Sequence, residues 1–412
     1  PTVASIFTGV YPEVHRVTNY QAVLSEEFVT LAEAFQAAGY RTGARISNIL
    51  INGPHGYHQG FDDAHLVMNL YKLLFMEKLL TQARITPQYY FARGDEIANA
   101  GLDWLRRHKD ERFFFYLHYY DPHFPYYPPA DYAMRYVEPE MAKRFPYRAF
   151  VADTIWNMVS EFKLGIRRSP EEIAYIKAVY DAEINYADDQ VARVLDYLDE
   201  TGLADNTIVI FTADHGEQFY EHGQKLHSKT LYNEEIHVPL IIKAPGYAPR
   251  VIKDRVRGLD IYRTLIALAG LPSRLPAAGI GREIEAQAMG ASLVPLMKGE
   301  ALPPGSGGPV YSSLDMDTVI KEAYFEDAWK LIRNVARGDD IERPPVELYR
   351  LPSDPGEDNN LAGREAAARA RLTDRAAKGR AAMAERAVTG LTEKPLSKSE
   401  VEKLKALGYI NQ

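Results

Sequence analysis

Three strand-length apolar runs, RFFFYLHYY (112–120), TIVIFTA (207–213) and VPLIIKA (238–244), stand well apart along the chain. Between the first two lies SPEEIAYIKAVYDAEINYADDQVARVLDYLDETG (169–202), with Ser169 placed as an N-cap, Pro170 in the first turn, acids behind it and Gly202 at its far end. That interval predicts one helix of roughly 30 residues, about 45 Å long. Its Ile173, Ile176, Tyr180, Ile184, Ala187, Val191, Val194 and Leu198 recur at threes and fours, which predicts one stripe packed on a sheet. Short strands alternating with helices of this kind give an α/β fold, a mostly parallel sheet sandwiched by helices.

The turn-rich ALPPGSGGP (301–309) marks the expected boundary between a domain over 1–305 and a C-terminal α+β subdomain over 306–412. Beyond it VYSSL, EAYFEDAWKLIRN and VELYRL predict a small antiparallel sheet, 362–388 a surface helix, and SKSEVEKLKALGYI a capped closing helix. The greasiest stretch, LYKLLFMEKLL (70–80), carries two lysines and a glutamate and reads as an amphipathic helix, so no membrane span is expected. A net charge of -8 argues against nucleic acid as the main partner, and the absence of cysteine removes disulfides, zinc–thiolate sites and a cysteine nucleophile. The chain opens PTVASIFTGVYP, with neither an initiator methionine nor a signal peptide, and reads as a piece of something longer.

In open α/β sheets ligands gather outside the carboxyl ends of the strands. Three crowded polar stretches follow predicted strands: SNILINGPHGYHQGFD (47–62), YYDPHFPYYPP (119–129) and TADHGEQ (212–218). Asp214 and His215, with Gly216 permitting a sharp turn, offer oxygen and nitrogen donors that suit one divalent ion; a helix cap and a surface histidine are the plainer reading. His227 and Lys229 are the cation and proton donor that an anionic ester needs, although a histidine in a polar loop is often only solvated, as His222 and His237 are expected to be. Prolines 122, 125, 128 and 129 hold His123 in a stiff loop, for chemistry or for packing.

Together these stretches resemble the sulfatase family of the alkaline phosphatase superfamily, nearly end to end. PTVASIFTGVYPEVHRV is similar to the segment that follows the family's nucleophile, LAEAFQAAGYRTGAR to its G-Y-x-T strand, FFFYLHYYDPHFPYYPP to the strand leading to P-H-x-P, and TIVIFTADHGE to the strand bearing the second pair of metal ligands. LHSKTLYNEEIHVPLII resembles the stretch with a catalytic histidine or lysine ahead of Y-x-E and V-P-L-I, while GLDIYRTLIALAGLP, ASLVPLMKG and ELYRLPSDPGEDNNLA resemble landmarks of its C-terminal third. The resemblance implies an alkaline-phosphatase-like fold, with Asp214 and His215 as metal ligands, His123 on the sulfate or phosphate group and His227 as proton donor to the leaving oxygen. Lys229 and Lys225 would contact the oxyanion. The cofactor implied is one divalent ion, usually Ca2+, with Mn2+ or Zn2+ suited by a histidine ligand. The implied partner is a small-molecule or glycan ester, and the implied compartment periplasmic or extracellular, with the cytoplasm left open.

Three departures qualify this expectation. The family's nucleophile would stand two residues before Pro1 and two metal-binding aspartates further upstream, so the chain as it stands is expected to be inactive. The arginine that directs formylglycine formation is replaced by Val3, which favours a plain Thr or Ser nucleophile and admits phosphoesters or phosphonates as substrates; a non-catalytic binding descendant is the further alternative. The family's G-K-x-H cations are also missing, the chain reading ISNI at 46–49, with Arg45, His55 or His58 as possible replacements.

Overall fold

The computed structural model describes residues 1–67, 92–124, 126–144, 168–272, 284–304, 306, 310–316, 319–336, 343–390, 392–397 and 401. The helix expected over 70–80 and nearly all of the closing helix over 397–410 lie outside them. Contacts divide the chain into two compact units, one of Pro1–Tyr40, Gly53–Phe61 and Asn206–Lys394, the other of Arg41–Asn52, Asp62–Asp205 and Pro395–Gln412. These units do not follow the division at 305. Residues beyond that point share a unit with 206–304, and hydrogen bonds from Tyr232 to Glu347 and from the Asn233 amide to Glu357 tie the C-terminal sheet to the segment after residue 216.

The second unit holds a parallel sheet of β1 (Arg41–Ile46), β2 (Asp63–Leu66) and β3 (Phe113–His118), in the order β2-β1-β3. Helix Gly94–His108 presses Trp104 onto it, the indole stacking on Phe115 with ring centroids 4.2 Å apart. Gly43 on β1 makes this possible, since a Cβ there would stand 2.4 Å from the Trp104 ring. The predicted long helix is observed as Pro170–Glu200, closed at its start by a capping box in which Ser169 accepts from the Glu172 amide and Glu172 from the Ser169 amide. Its buried face keeps Ile176, Val194 and Leu198 of the predicted stripe but is rotated from the rest: Ile184 is exposed, whereas Glu183 and Gln190 are buried. Tyrosines 175 and 186 supply the packing area there, and the Glu183 carboxyl is occupied by a hydrogen bond from the Tyr127 amide.

The first unit contains β4 (Val209–Thr212), a hairpin of β5 (Gln218–Phe219) and β6 (Lys225–Leu226), and β7 (Leu240–Lys243). The apolar runs at 207–213 and 238–244 pair with each other antiparallel, Val209 opposite Lys243. Their connection, residues 213–239, carries this hairpin and the single helical turn Asn233–Ile236, with no crossover helix of the kind that joins parallel strands. The C-terminal meander follows, with β8 (Val310–Met316), β9 (Val319–Glu326), β10 (Trp329–Ala336) and β11 (Val346–Arg350) in the order β11-β10-β9-β8 and antiparallel throughout. Helix Ala366–Ala384 is tied to β9 through Arg371 and Arg375 on Glu326 and Arg380 on Glu322. The alkaline-phosphatase-like α/β fold with a C-terminal antiparallel sheet is thus observed. Among the described residues no helix is long and apolar enough to cross a membrane.

Candidate active site

β4 ends at Thr212, and the chain turns at once through Asp214, His215 and Gly216. The turn is tight because the Gly216 amide donates to the Glu235 carbonyl at 2.7 Å, and a Cβ on Gly216 would lie 2.1 Å from the Glu234 carbonyl oxygen. Only glycine fits that approach. The His215 amide donates to Asp214 Oδ1 at 3.1 Å, and His215 Nδ1 lies 3.0 Å from the Gly216 carbonyl, an acceptor, so Nδ1 carries the proton and Nε2 is the lone-pair nitrogen of the neutral ring. Burial works against protonation of His215, but Asp214, the Gly216 carbonyl and the Glu217 and Glu235 carboxylates together raise its pKa above the ordinary value. Asp214 also acts electrostatically on the buried Tyr57, whose pKa is raised chiefly by burial.

The β5–β6 hairpin brings in the next group. His227 sits between Leu226 and Ser228, both held at φ 65°, a left-handed conformation that costs a non-glycine residue about 1–2 kcal/mol. The strain turns the imidazole inward, where Nδ1 donates to Glu217 Oε1 at 2.9 Å with both side chains buried. Burial first, then the neighbouring charges of His215 and Lys229, hold the His227 pKa well below the usual histidine range. The rings of His215 and His227 stack with centroids 4.1 Å apart, and their ring nitrogens lie within 4.8 Å of one another. Asp214, His215, His227 and Lys229 are thus brought together.

Lys225 is placed otherwise, buried on β6 with its ammonium over the Tyr220 ring at 6.0 Å. His222 is not the solvated residue expected: it stacks on Tyr232 at 3.7 Å and lies 3.4 Å from Glu234, whereas His237 is exposed as expected. Of the proposed replacement cations, Arg45 pairs with Asp63 at 3.1 Å on the parallel sheet, and His55 Nε2 lies 3.2 Å from the Tyr20 carbonyl. Glu217, the His227 partner, is the functional residue that sequence reading missed. The signal was present in the acid directly after the DHG turn.

Asp214 Oδ1 and His215 Nε2 are 3.8 Å apart. Two ligand atoms each about 2.0–2.2 Å from one divalent ion stand no more than about 4.4 Å apart, so this oxygen and nitrogen are close enough to share such an ion.

In the second unit, β3 runs into the loop carrying His123, whose Nδ1 donates to the Phe124 carbonyl and whose ring packs on Tyr120 at 4.3 Å. Two buried carboxyls brace this loop. Asp121 accepts from the Gly94 amide at 2.6 Å and Glu183 from the Tyr127 amide at 3.1 Å, while Glu183 hydrogen-bonds to Asp121. Burial raises both pKa values, and the Asp121 charge raises that of Glu183 further, so Glu183 holds the proton and donates it to Asp121. A carboxyl whose folded pKa is raised stabilises the fold while protonated, and that contribution is lost as pH rises from the ordinary 4.5 through the folded value. Thermal stability of the chain is accordingly expected to fall on this rise. Glu183→Gln, which keeps a donor without the titration, flattens the profile; an unchanged profile in that variant contradicts the shared proton.

The sulfatase family model matches residues 1–271. The chain is 26% identical over 390 residues to the uncharacterized sulfatase YidJ of Escherichia coli, covering 88% of this chain and 73% of that one. It is 30% identical over 202 residues to arylsulfatase K of Xenopus laevis, covering 47% of this chain and 35% of that one. Among solved structures, the phosphonate monoester hydrolase of Agrobacterium radiobacter superposes with a TM-score of 0.67 at 21% identity, over 92% of this chain and 85% of that one. With the match spanning the helix from Thr2, the DHG turn after β4 and the hairpin that carries His227, the chain belongs to the sulfatase family.

Proposed function

We propose that this chain is the greater part of a metal-dependent hydrolase of sulfate esters, acting with a hydroxyl nucleophile and further metal ligands supplied ahead of Pro1. The observation that carries the reading is the meeting of Asp214, His215, His227 and Lys229 around the two stacked imidazoles. His123 is proposed to join them on the ester's non-bridging oxygens. When bound, the divalent ion supplies electrophilic stabilisation to the ester and to the nucleophile. Asp214 and His215 would hold it through carboxylate and Nε2. Lys229 offers its charge to the anionic group.

His227 is neutral before substrate arrives, since burial and its cationic neighbours disfavour its charged form. The ester anion entering beside it reverses that balance, because a nearby negative charge favours the imidazolium, and Nε2 takes up a proton from solvent. Glu217 on Nδ1 orients Nε2 toward the entering group and stabilises the charged ring. His227 then gives the Nε2 proton to the departing alkoxide. The requirement that the substrate anion itself charge the acid explains how a buried histidine with a depressed pKa serves as a proton donor.

A second reading, hydrolysis of phosphonate or phosphate esters, is favoured by Val3 in place of the formylglycine-directing arginine and by the likeness to a phosphonate monoester hydrolase. The test uses a chain extended upstream of Pro1 and paired nitrophenyl sulfate, phosphate diester and phosphonate substrates. Activity on the sulfate that exceeds the other two supports the first reading, and a reversed order supports the second. Activity on none, with the anions still bound, supports a binding descendant and overturns both. Chelation should remove activity, and Mn2+ or Zn2+ should restore it; restoration is expected to be lost in Asp214→Ala, as metal content by elemental analysis would show.

A further inference from the structure

The C-terminal sheet carries a buried ion pair that points back at the site. Lys330 on β10 and Glu357 in the loop beyond β11 are both buried, Nζ to Oε1 2.6 Å. The pair is not closed on itself. Glu357 Oε2 accepts from the Asn233 amide at 2.7 Å, and Lys330 Nζ donates to Asn233 Oδ1 at 3.1 Å. Asn233 opens the single helical turn Asn233–Ile236. From that same turn the Glu235 carbonyl receives the Gly216 amide, and Glu235 Oε1 receives both the Thr230 amide at 3.0 Å and its hydroxyl at 2.6 Å. Gly216 closes the turn bearing Asp214 and His215; Thr230 follows His227 and Lys229 directly.

A second anchor lies one residue earlier. Tyr232 donates to Glu347 Oε2 on β11 at 2.6 Å and accepts from Arg343 Nη1 at 2.7 Å, while Arg343 Nη2 donates to the His222 carbonyl at 3.0 Å. Both anchors hold the start of one helical turn, and both arms of the candidate site hang from its far end.

We infer that Lys330 and Glu357 are positioning residues of the hydrolytic site: by seating Asn233 they set the helical turn from which the Asp214–His215 turn and the His227–Lys229 loop are both suspended. This inference rests on the hydrolase reading for its consequence in catalysis, but not for the geometry. A buried ion pair exchanged for apolar residues of similar size is often tolerated or even stabilising. The double variant Lys330→Met/Glu357→Leu therefore separates positioning from folding, because it keeps the core filled and removes the acceptor of the Asn233 amide.

Amide hydrogen exchange on the chain as it stands is the primary test. In the double variant the Gly216 and Thr230 amides are expected to exchange at least about 10-fold faster, while the β9–β10 ladder keeps its protection. Glu357→Gln, which retains an oxygen for Asn233, is expected to restore most of the protection. Unchanged protection at Gly216 and Thr230 overturns the inference, and so does loss shared equally with β9 and β10. In the upstream-extended protein the double variant is expected to lower kcat by about 10-fold or more with KM within about 3-fold. An extended parent that hydrolyses none of the esters defeats the proposed function, and the exchange result still decides the positioning claim.

Discussion

In the upstream-extended protein, His227→Ala is expected to lower kcat for alkyl sulfate esters by about 10²–10⁴-fold, the range over which a positioned general acid contributes. Nitrophenyl sulfate should be affected far less, because its leaving group departs without a proton. The contrast separates a proton donor from a residue that only binds the anion, since loss of a binding contact slows both substrates alike. Glu217→Gln provides the companion measurement. It keeps a hydrogen-bond acceptor for Nδ1 but removes the negative charge 2.9 Å from the ring, so the alkyl substrate should slow while anion binding persists. Equal losses on both substrates in His227→Ala would place the residue in binding rather than in proton transfer.

Gly216→Ala is expected to be the most damaging small substitution, costing about 3 kcal/mol or more, at the upper end of what overpacking does to a fitted site. The atom met by the added methyl is the Glu234 backbone carbonyl, which cannot rotate away as a side chain would. The turn must open instead, and the hydrogen bond from the Gly216 amide to the Glu235 carbonyl is lost with it. Urea denaturation should show a lower midpoint with an unchanged slope. A shift within the error of the parent would mean that the turn relaxes freely, which would remove the steric reason for glycine in DHG.

Much of the arrangement was legible because strand ends and turns leave local marks. Asp214, His215 and His123 each follow an apolar run directly, and Ser169-Pro170 marked the start of the long helix to the residue. What was not legible depended on pairings between distant residues. Ile184 fits the 3.6-residue period yet is exposed, because Tyr175 and Tyr186 and the buried Glu183 decide which face turns inward. Glu183 reads as one more surface acid until Asp121 and the Tyr127 amide are seen beside it. Lys225 and Lys229 look equivalent in KLHSK, but alternation along the two-residue strand β6 sends Lys225 to Tyr220, and the left-handed residues around His227 reverse the direction expected of its neighbours. Periodicity also predicted strands at 207–213 and 238–244 without saying that they pair with each other; the observed register, Val209 opposite Lys243, settles that.

The central proposal is that Asp214, His215 and His227 address one ion and one anion. Mn2+ titration of the isotopically labelled chain, followed through histidine ring resonances, tests it most directly, because the paramagnetic ion broadens only signals near it. The account predicts that the His215 and His227 resonances broaden in parallel to one ion per chain, that Asp214→Ala abolishes the effect, and that exposed His237 keeps its linewidth. Broadening of His215 without His227, or broadening that survives Asp214→Ala, would contradict it.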